Sequence, residues 1–360
     1  MAPARAPRQE SLPPETIVAQ MAPGVLRCQL PVDMPGLGHV NAYLLLDGRG
    51  AALVDAGVPG PSSWEALIAR LDGAGLRAAD IHTVVVTHSH PDHFGGAHRL
   101  AGQAGALVVT HGAWQTRWAA ARHSCADPEL DSVGVSLPDV DPADIPTTDP
   151  WAEPTPWGGE SFVSRWVRDN PASSDGKGRA SSWLPPEPDR IVADGEDLEL
   201  GGRRWRCLYT PGHTLDHLCL YDPEDGVLLS GDHVLPTITP HIPGIGGGRD
   251  SLASYLASLE RVAGLPVGGL VLPAHGQPFA DLARRVGDIR VHHEGRLDRL
   301  CEIAALIGPA TVADYSRQLF REERWGPMAE SEAYAHLQHL YLTGRLVRAG
   351  EHTDLTFGLA

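Results

Sequence analysis

The chain has 360 residues, a formal net charge of -16 and 42% apolar residues; Lys177 is its one lysine. That length accommodates one large domain plus a small one, or two medium domains, with ample core. The acidity disfavours a polyanionic partner such as nucleic acid, and no apolar run approaches the roughly 20 residues that cross a bilayer.

Met1 to Thr16 contains Pro, Ala and Arg but no apolar core of a secretory signal, so residues 1–21 are expected to be a ragged tail and the protein cytoplasmic, without membrane association. Strands are expected near Val25 to Leu30, Val40 to Leu46 and Ala51 to Asp55, then a helix from about Ser62 to Leu71. The β-branched run Thr83-Val84-Val85-Val86 reads as a buried strand. A helix from about Asp92 to Leu100, a strand Ala106 to Thr110 and a helix from about Ala113 to Ala121 follow. Cys28, Cys125, Cys207, Cys219 and Cys301 are odd in number and lack a C-x-x-C spacing, which indicates free thiols.

From Ser124 to Arg190 periodicity is lost among Pro, Gly, Ser and acidic residues, with 13 Asp or Glu against five Lys or Arg. Loops this long usually serve as lids, binding loops or linkers. Trp114, Trp118, Trp151, Trp157, Trp166 and Trp183 lie in it or at its edge. Free linkers have little use for tryptophan, so 124–190 is expected to be an insertion that caps a pocket, the alternative being rings that pin it to the core.

Strand character resumes at Leu198 to Leu200, Trp205 to Tyr209, Leu218 to Tyr221, Val227 to Leu229 and Gly269 to Leu272. Several strands end at metal-ligand residue types. His88-Ser89-His90-Pro91-Asp92-His93 follows the strand at Thr83, and His213, Asp232 and His275 each follow a later one. Imidazole nitrogen and carboxylate oxygen suit zinc and similar divalent metals. Pro and Gly around each residue make tight turns that could aim the side chains together. Other histidines, such as His82, His98, His111 and His123, read as surface or core residues.

His88-x-His90-x-Asp92-His93 with His213, Asp232 and His275 in that order resembles the complete ligand set of the metallo-β-lactamase superfamily, in its dinuclear glyoxalase II-like and lactamase-beta-like-2-like branch. Leu53-Val54-Asp55-Ala56-Gly57 resembles the family's Asp-x-Gly turn, with Asp55 behind the ligands. The resemblance covers about residues 22 to 290 and implies an α/β fold, a four-layer αββα sandwich. It implies that His88, His90 and His213 hold one divalent metal, Asp92, His93 and His275 a second, and that Asp232 bridges them. Two such ions, most simply Zn2+ with Fe or Mn as alternatives, sit about 3.5–4 Å apart and share an activated hydroxide. His88, His90 and Asp92 would hold that reagent. His217, His233 and His241 are expected to support ligands or meet substrate.

Leu297 to Ile307, Thr311 to Leu319 and Ser331 to Thr343 read as helices, followed by a hairpin at Gly344 to Val347 and Thr353 to Phe357. Residues 291–360 thus resemble the winged-helix domain that follows the catalytic domain in lactamase-beta-like-2 proteins. They carry seven Arg and ten Asp or Glu, and Glu330 to Leu342 contains no Arg or Lys. A recognition helix needs cations, so packing or dimer formation is expected there instead of nucleic-acid binding. The expected activity is hydrolysis of a small-molecule thioester, ester or lactone. A metal-dependent endoribonuclease is the alternative, and an iron-dependent sulfur dioxygenase a third; oligomeric state stays open, a homo-oligomer being compatible.

Overall fold

The structure, a computed structural model, describes residues 8–34, 36–114, 153–160 and 185–360. Strands β1 (Ala19–Ala22), β2 (Val25–Met34), β3 (Leu37–Asp47), β4 (Gly50–Val54), β5 (Ile81–Val85), β6 (Leu107–His111) and β7 (Arg190–Val192) form one sheet in that order. Pairing is antiparallel from β1 to β4 and parallel from β4 to β7. A second sheet has the order β12-β11-β10-β9-β8, built from β8 (Asp197–Leu200), β9 (Arg203–Tyr209), β10 (Leu218–Asp222), β11 (Val227–Gly231) and β12 (Leu270–Pro273).

Alternating side chains explain why these sheets face each other. On β3 and β4, Tyr43, Leu45, Ala52 and Val54 join Trp205, Cys207, Leu218, Leu220 and Leu229 of the other sheet in one core. Their neighbours Ala42, Leu44, Ala51 and Leu53 point the opposite way, against Leu67, Leu71 and Leu100 of the outer helices Pro61–Gly73 and Ala97–Ala104. Cys219, Tyr221, Leu228 and Val271 likewise cover the outside of the second sheet, against helices Ser251–Ala263 and Leu282–Ile307. A strand apolar at every position is what burial on both faces requires. The result is the expected four-layer order of helix, sheet, sheet and helix.

Three expectations are corrected. Residues 8–21 are not a ragged tail: Glu10 is fully buried, its carboxylate accepts from the backbone N–H of Thr237 (2.9 Å) and Ile238 (3.1 Å) and from the Thr237 hydroxyl, and β1 extends the first sheet. The helix expected from Asp92 to Leu100 is two, Pro91–Phe94 and Ala97–Ala104. Gly95 and Gly96 interrupt it, their N–H groups bonding to the carbonyls of Gly57 (2.7 Å) and Ala56 (3.0 Å) where a Cβ would collide with that backbone. Helix Leu282–Ile307 runs unbroken through the boundary placed between residues 290 and 291.

Beyond that helix come β13 (Ala310–Thr311), helices Val312–Leu319 and Pro327–Leu342, β14 (Leu346–Ala349) and β15 (Thr356–Leu359), the strands pairing in the order β13-β15-β14. Thr311 and Asp314 cap their helix reciprocally. Residues of this module share one continuous core with the second sheet's outer face. Of the expected insertion, 153–160 and 185–190 are described; the expected helix Ala113 to Ala121 falls almost wholly outside the described residues, as do Trp118, Trp151, Trp166, Trp183 and Cys125. Trp157 is buried, its ring tilted 33° against Tyr334 at 4.8 Å between centroids, and its Nε1 donates to Glu330 at 3.4 Å. Burial pushes the thiols of Cys28, Cys207 and Cys219 up to about 12, as suits inert core cysteines. Among the described residues no helix is long and apolar enough to cross a membrane.

Candidate metal centre

The carboxyl ends of β4, β5, β9, β11 and β12 lie along one edge of the sandwich and present Asp55, the His88–His93 segment, His213, Asp232 and His275 respectively. His90 immediately precedes the short helix Pro91–Phe94, whose single turn carries Asp92 and His93. All seven expected ligand residues come together here, in two groups whose ligand atoms each lie within 4.8 Å of one another: His88, His90, His213 and Asp232, and Asp92, His93 and His275.

In the first group, His90 Nδ1 stands 3.0 Å from both His88 Nε2 and His213 Nε2. In the second, His275 Nε2 is 3.4 Å from Asp92 Oδ2, and His93 Nε2 is 3.7 Å from Asp92 Oδ1. Asp232 reaches both: Oδ2 is 3.5 Å from His213 Nε2 and 3.7 Å from His93 Nε2, while Oδ1 is 3.3 Å from His275 Nε2.

Hydrogen bonds on the far side of the rings set their tautomers. His93 Nδ1 donates to Asp55 Oδ2 (2.8 Å), His213 Nδ1 to the His241 carbonyl (2.7 Å) and His275 Nδ1 to the His39 carbonyl (2.7 Å). Thr87 Oγ1 gives its proton to Asp55 Oδ2 (2.9 Å) and so accepts from His88 Nδ1 (3.1 Å). In each of these four rings a proton is held at Nδ1 and Nε2 points inward, the orientation that metal-binding imidazoles take from such partners. His93 Nε2, His275 Nε2 and Asp232 Oδ1 are buried without a hydrogen-bond partner. Buried polar atoms left bare are costly unless an ion satisfies them, so this donor set fits divalent metal.

The electrostatics point the same way. Burial holds the His88 imidazole well below its usual range, with His93 and His90 adding repulsion, so it stays neutral as a ligand must. At His275 burial also opposes the charge, but Asp232 and Asp92 outweigh it and raise the imidazole to about 10. His93 is raised well above its usual range because the carboxylates of Asp92, Asp55 and Asp232 overcome its burial. The second group attracts positive charge.

Asp55 lies behind the ligands, as expected, in a left-handed backbone conformation (φ 61) that Asp tolerates better than most residues. His217 supports Asp232: its Nε2 accepts from the Asp232 N–H (3.0 Å) and its Nδ1 faces Thr210 Oγ1 (2.8 Å). His233 is fully buried and stands edge-on to Tyr255 at 5.2 Å. The His241 ring faces Glu332, Nδ1 to Oε2 3.7 Å, while its carbonyl holds His213. Sequence reasoning missed Thr87 and a polar row on β3, His39, Asn41 and Tyr43. The signal for the row was three polar or amphipathic residues at alternate positions of an apolar strand.

Two facing sheets with helices outside, and buried His and Asp donors gathered at the strand ends, define a fold with groups that could hold metal ions. Residues 35–275 match the sequence profile of the Metallo-beta-lactamase superfamily, and the chain belongs to that superfamily. It is 27% identical over 274 residues to the lactamase-like protein adaB of Aspergillus niger, a match spanning 75% of this chain and 59% of that protein. It is 25% identical over 325 residues to the lactamase-like protein vrtG of Penicillium aethiopicum, across 88% of this chain and 79% of vrtG. Among solved structures, a metallo-beta-lactamase family protein from Thermus thermophilus aligns with a TM-score of 0.71 at 28% identity, over 95% of this chain and 100% of that one. A beta-lactamase domain protein from Burkholderia ambifaria aligns at 0.70 and 27% identity, over 97% and 96%. Members of this superfamily are mostly metal-dependent hydrolases, and the His and Asp groups here could hold the ions such chemistry uses.

Proposed function

We propose that this protein is a dinuclear metal-dependent hydrolase of a small-molecule thioester, ester or lactone. The observation that carries the reading is the set of buried, inward-facing Nε2 and carboxylate atoms whose outer sides are already hydrogen-bonded. His88, His90 and His213 hold one ion, Asp92, His93 and His275 the other, and Asp232 spans both; Zn2+ is the ion proposed. When bound, such ions supply a water ionised near neutral pH and an electrophile for the substrate carbonyl oxygen. The chain's own part is orientation. Asp55, Thr87 and the carbonyls of His39 and His241 keep protons at Nδ1, and His217 fixes the backbone of Asp232.

The charge balance supports a small substrate over RNA. The chain's net charge is -16, which disfavours a polyanion, and the helix Pro327–Leu342 contains no Arg or Lys to meet phosphates. We read the C-terminal helices and three-stranded sheet as a winged-helix module that packs on the catalytic domain. Trp157, Gly244 and Tyr334 meet there, joining the insertion, the loop after Asp232 and the C-terminal helix, which supports a cap over the substrate.

Panels of thioesters, esters and lactones, and a single-stranded RNA, each with and without chelator, test this. The expected outcome is chelator-sensitive hydrolysis of one small-molecule class, abolished by His88→Ala. Cleavage of RNA at enzyme-like rates, lost in the same variant, would overturn the substrate class.

A further inference from the structure

Alternate residues of one strand in the opposite sheet make most of the hydrogen bonds on the turn that carries His275, beside those from Ala274 N–H to the Gly231 carbonyl (3.0 Å) and from Gln277 N–H to Gln9 Oε1 (3.1 Å). On β3, Asn41 Nδ2 donates to the carbonyls of Pro273 and Gly276, both at 2.8 Å, and its backbone N–H to that of Ala274 at 2.6 Å. Tyr43 Oη gives a second hydrogen bond to Pro273 at 2.7 Å. Besides the carbonyl bond to His275, His39 accepts the Gly276 N–H at Nε2 (3.1 Å) while its Nδ1 donates to the Leu12 carbonyl (2.8 Å). The row is itself braced: Gln29 Nε2 donates to Asn41 Oδ1 at 3.0 Å, and the Glu15 N–H to Gln29 Oε1 at 2.8 Å. His39, Gln29 and Asn41 are 1% exposed or less, so water cannot replace these bonds.

No comparable row from β3 reaches the other group among the described residues. His213 is held instead by the His241 carbonyl, on a turn anchored through Ser258 to Pro211. We infer that His39, Asn41 and Tyr43 are positioning residues for the second metal alone: the affinity of the Asp92–His93–His275 group is set from strand β3, and that of the His88–His90–His213 group is not. The inference rests on the dinuclear reading. Residues that orient ligands in this way typically contribute about 10–100-fold to metal affinity.

The test is titration of metal-stripped full-length protein with Zn2+ against a competing chelator. Wild type is expected to bind two ions. Asn41→Ala should bind one with unchanged affinity and the other about 10–100-fold more weakly. Tyr43→Phe, which keeps the ring and its packing, should shift the same ion by a smaller factor and serves if Asn41→Ala does not fold. In a His275→Ala background, adding Asn41→Ala should leave the remaining ion's affinity unchanged, which assigns the effect to the second group. Leu71→Ala, buried outside the row, should lower stability without moving either affinity. Wild-type affinities at both sites in both row variants, or equal weakening of both ions, overturn the inference and leave the dinuclear reading standing. A wild type that binds no ion overturns both.

Discussion

Asp55 Oδ2 lies 2.8 Å from His93 Nδ1, and the same carboxylate takes the Thr87 N–H and hydroxyl, each at 2.9 Å. One acid in a left-handed turn therefore orients two rings, His93 directly and His88 through Thr87. Three donors converge on its two oxygens. Asn tolerates the φ of 61 but offers one acceptor oxygen and turns an N–H2 toward donors. Asp55→Asn is expected to retain the fold and lose about 10–100-fold in metal affinity, measured by chelator competition. Unchanged affinity would mean the carboxylate only shapes the turn.

Metal loading should release protons. The carboxylates of Asp232 and Asp92 hold His275 at about 10 against the opposing effect of burial, so at pH 7 its ring carries, besides the proton at Nδ1, one at Nε2 that an incoming ion must displace. Proton release is expected in weakly buffered solution when Zn2+ is added. Because a raised pKa means proton competition at every pH below it, affinity for the second ion should rise steadily from about pH 6 to about pH 9. A pH-independent affinity would contradict this.

The N-terminal segment should act as a structural strap. Glu10 is fully buried and satisfies two backbone N–H groups on the loop that follows Asp232. Glu10→Ala strands both, at about 1–3 kcal/mol each, whereas Glu10→Gln keeps an acceptor oxygen and should cost less. Denaturant unfolding of the two variants reads the difference; equal and small losses would show that the loop does not depend on Glu10.

Much of this architecture was legible in the chain because its signals are local. Strands β5, β9, β11 and β12 each contain a buried apolar stretch, and the turn that follows sets its ligand beside a Pro or Gly. The supports were not legible, because hydrogen bonding across the sandwich joins residues far apart in sequence: Asn41 to Pro273, Glu10 to Thr237, His39 to His275. Nothing near Asn41 hints at its partner. Helix Ser251–Ala263 is a different case, since Asp250 caps it and Leu252, Tyr255, Leu259 and Val262 recur at helical spacing. Its signal was present beside a glycine-rich run that reads as loop. Residues 8–21 mislead for another reason: their composition is that of a tail, and buried hydrogen bonds from Glu10 hold them in place.

The seven His and Asp residues are proposed to hold two divalent ions. Elemental analysis of protein purified without added metal tests this most directly. Two metal ions per chain are expected, zinc foremost, falling as activity is lost to chelator. Well under one ion per chain in protein that is folded and active would contradict it.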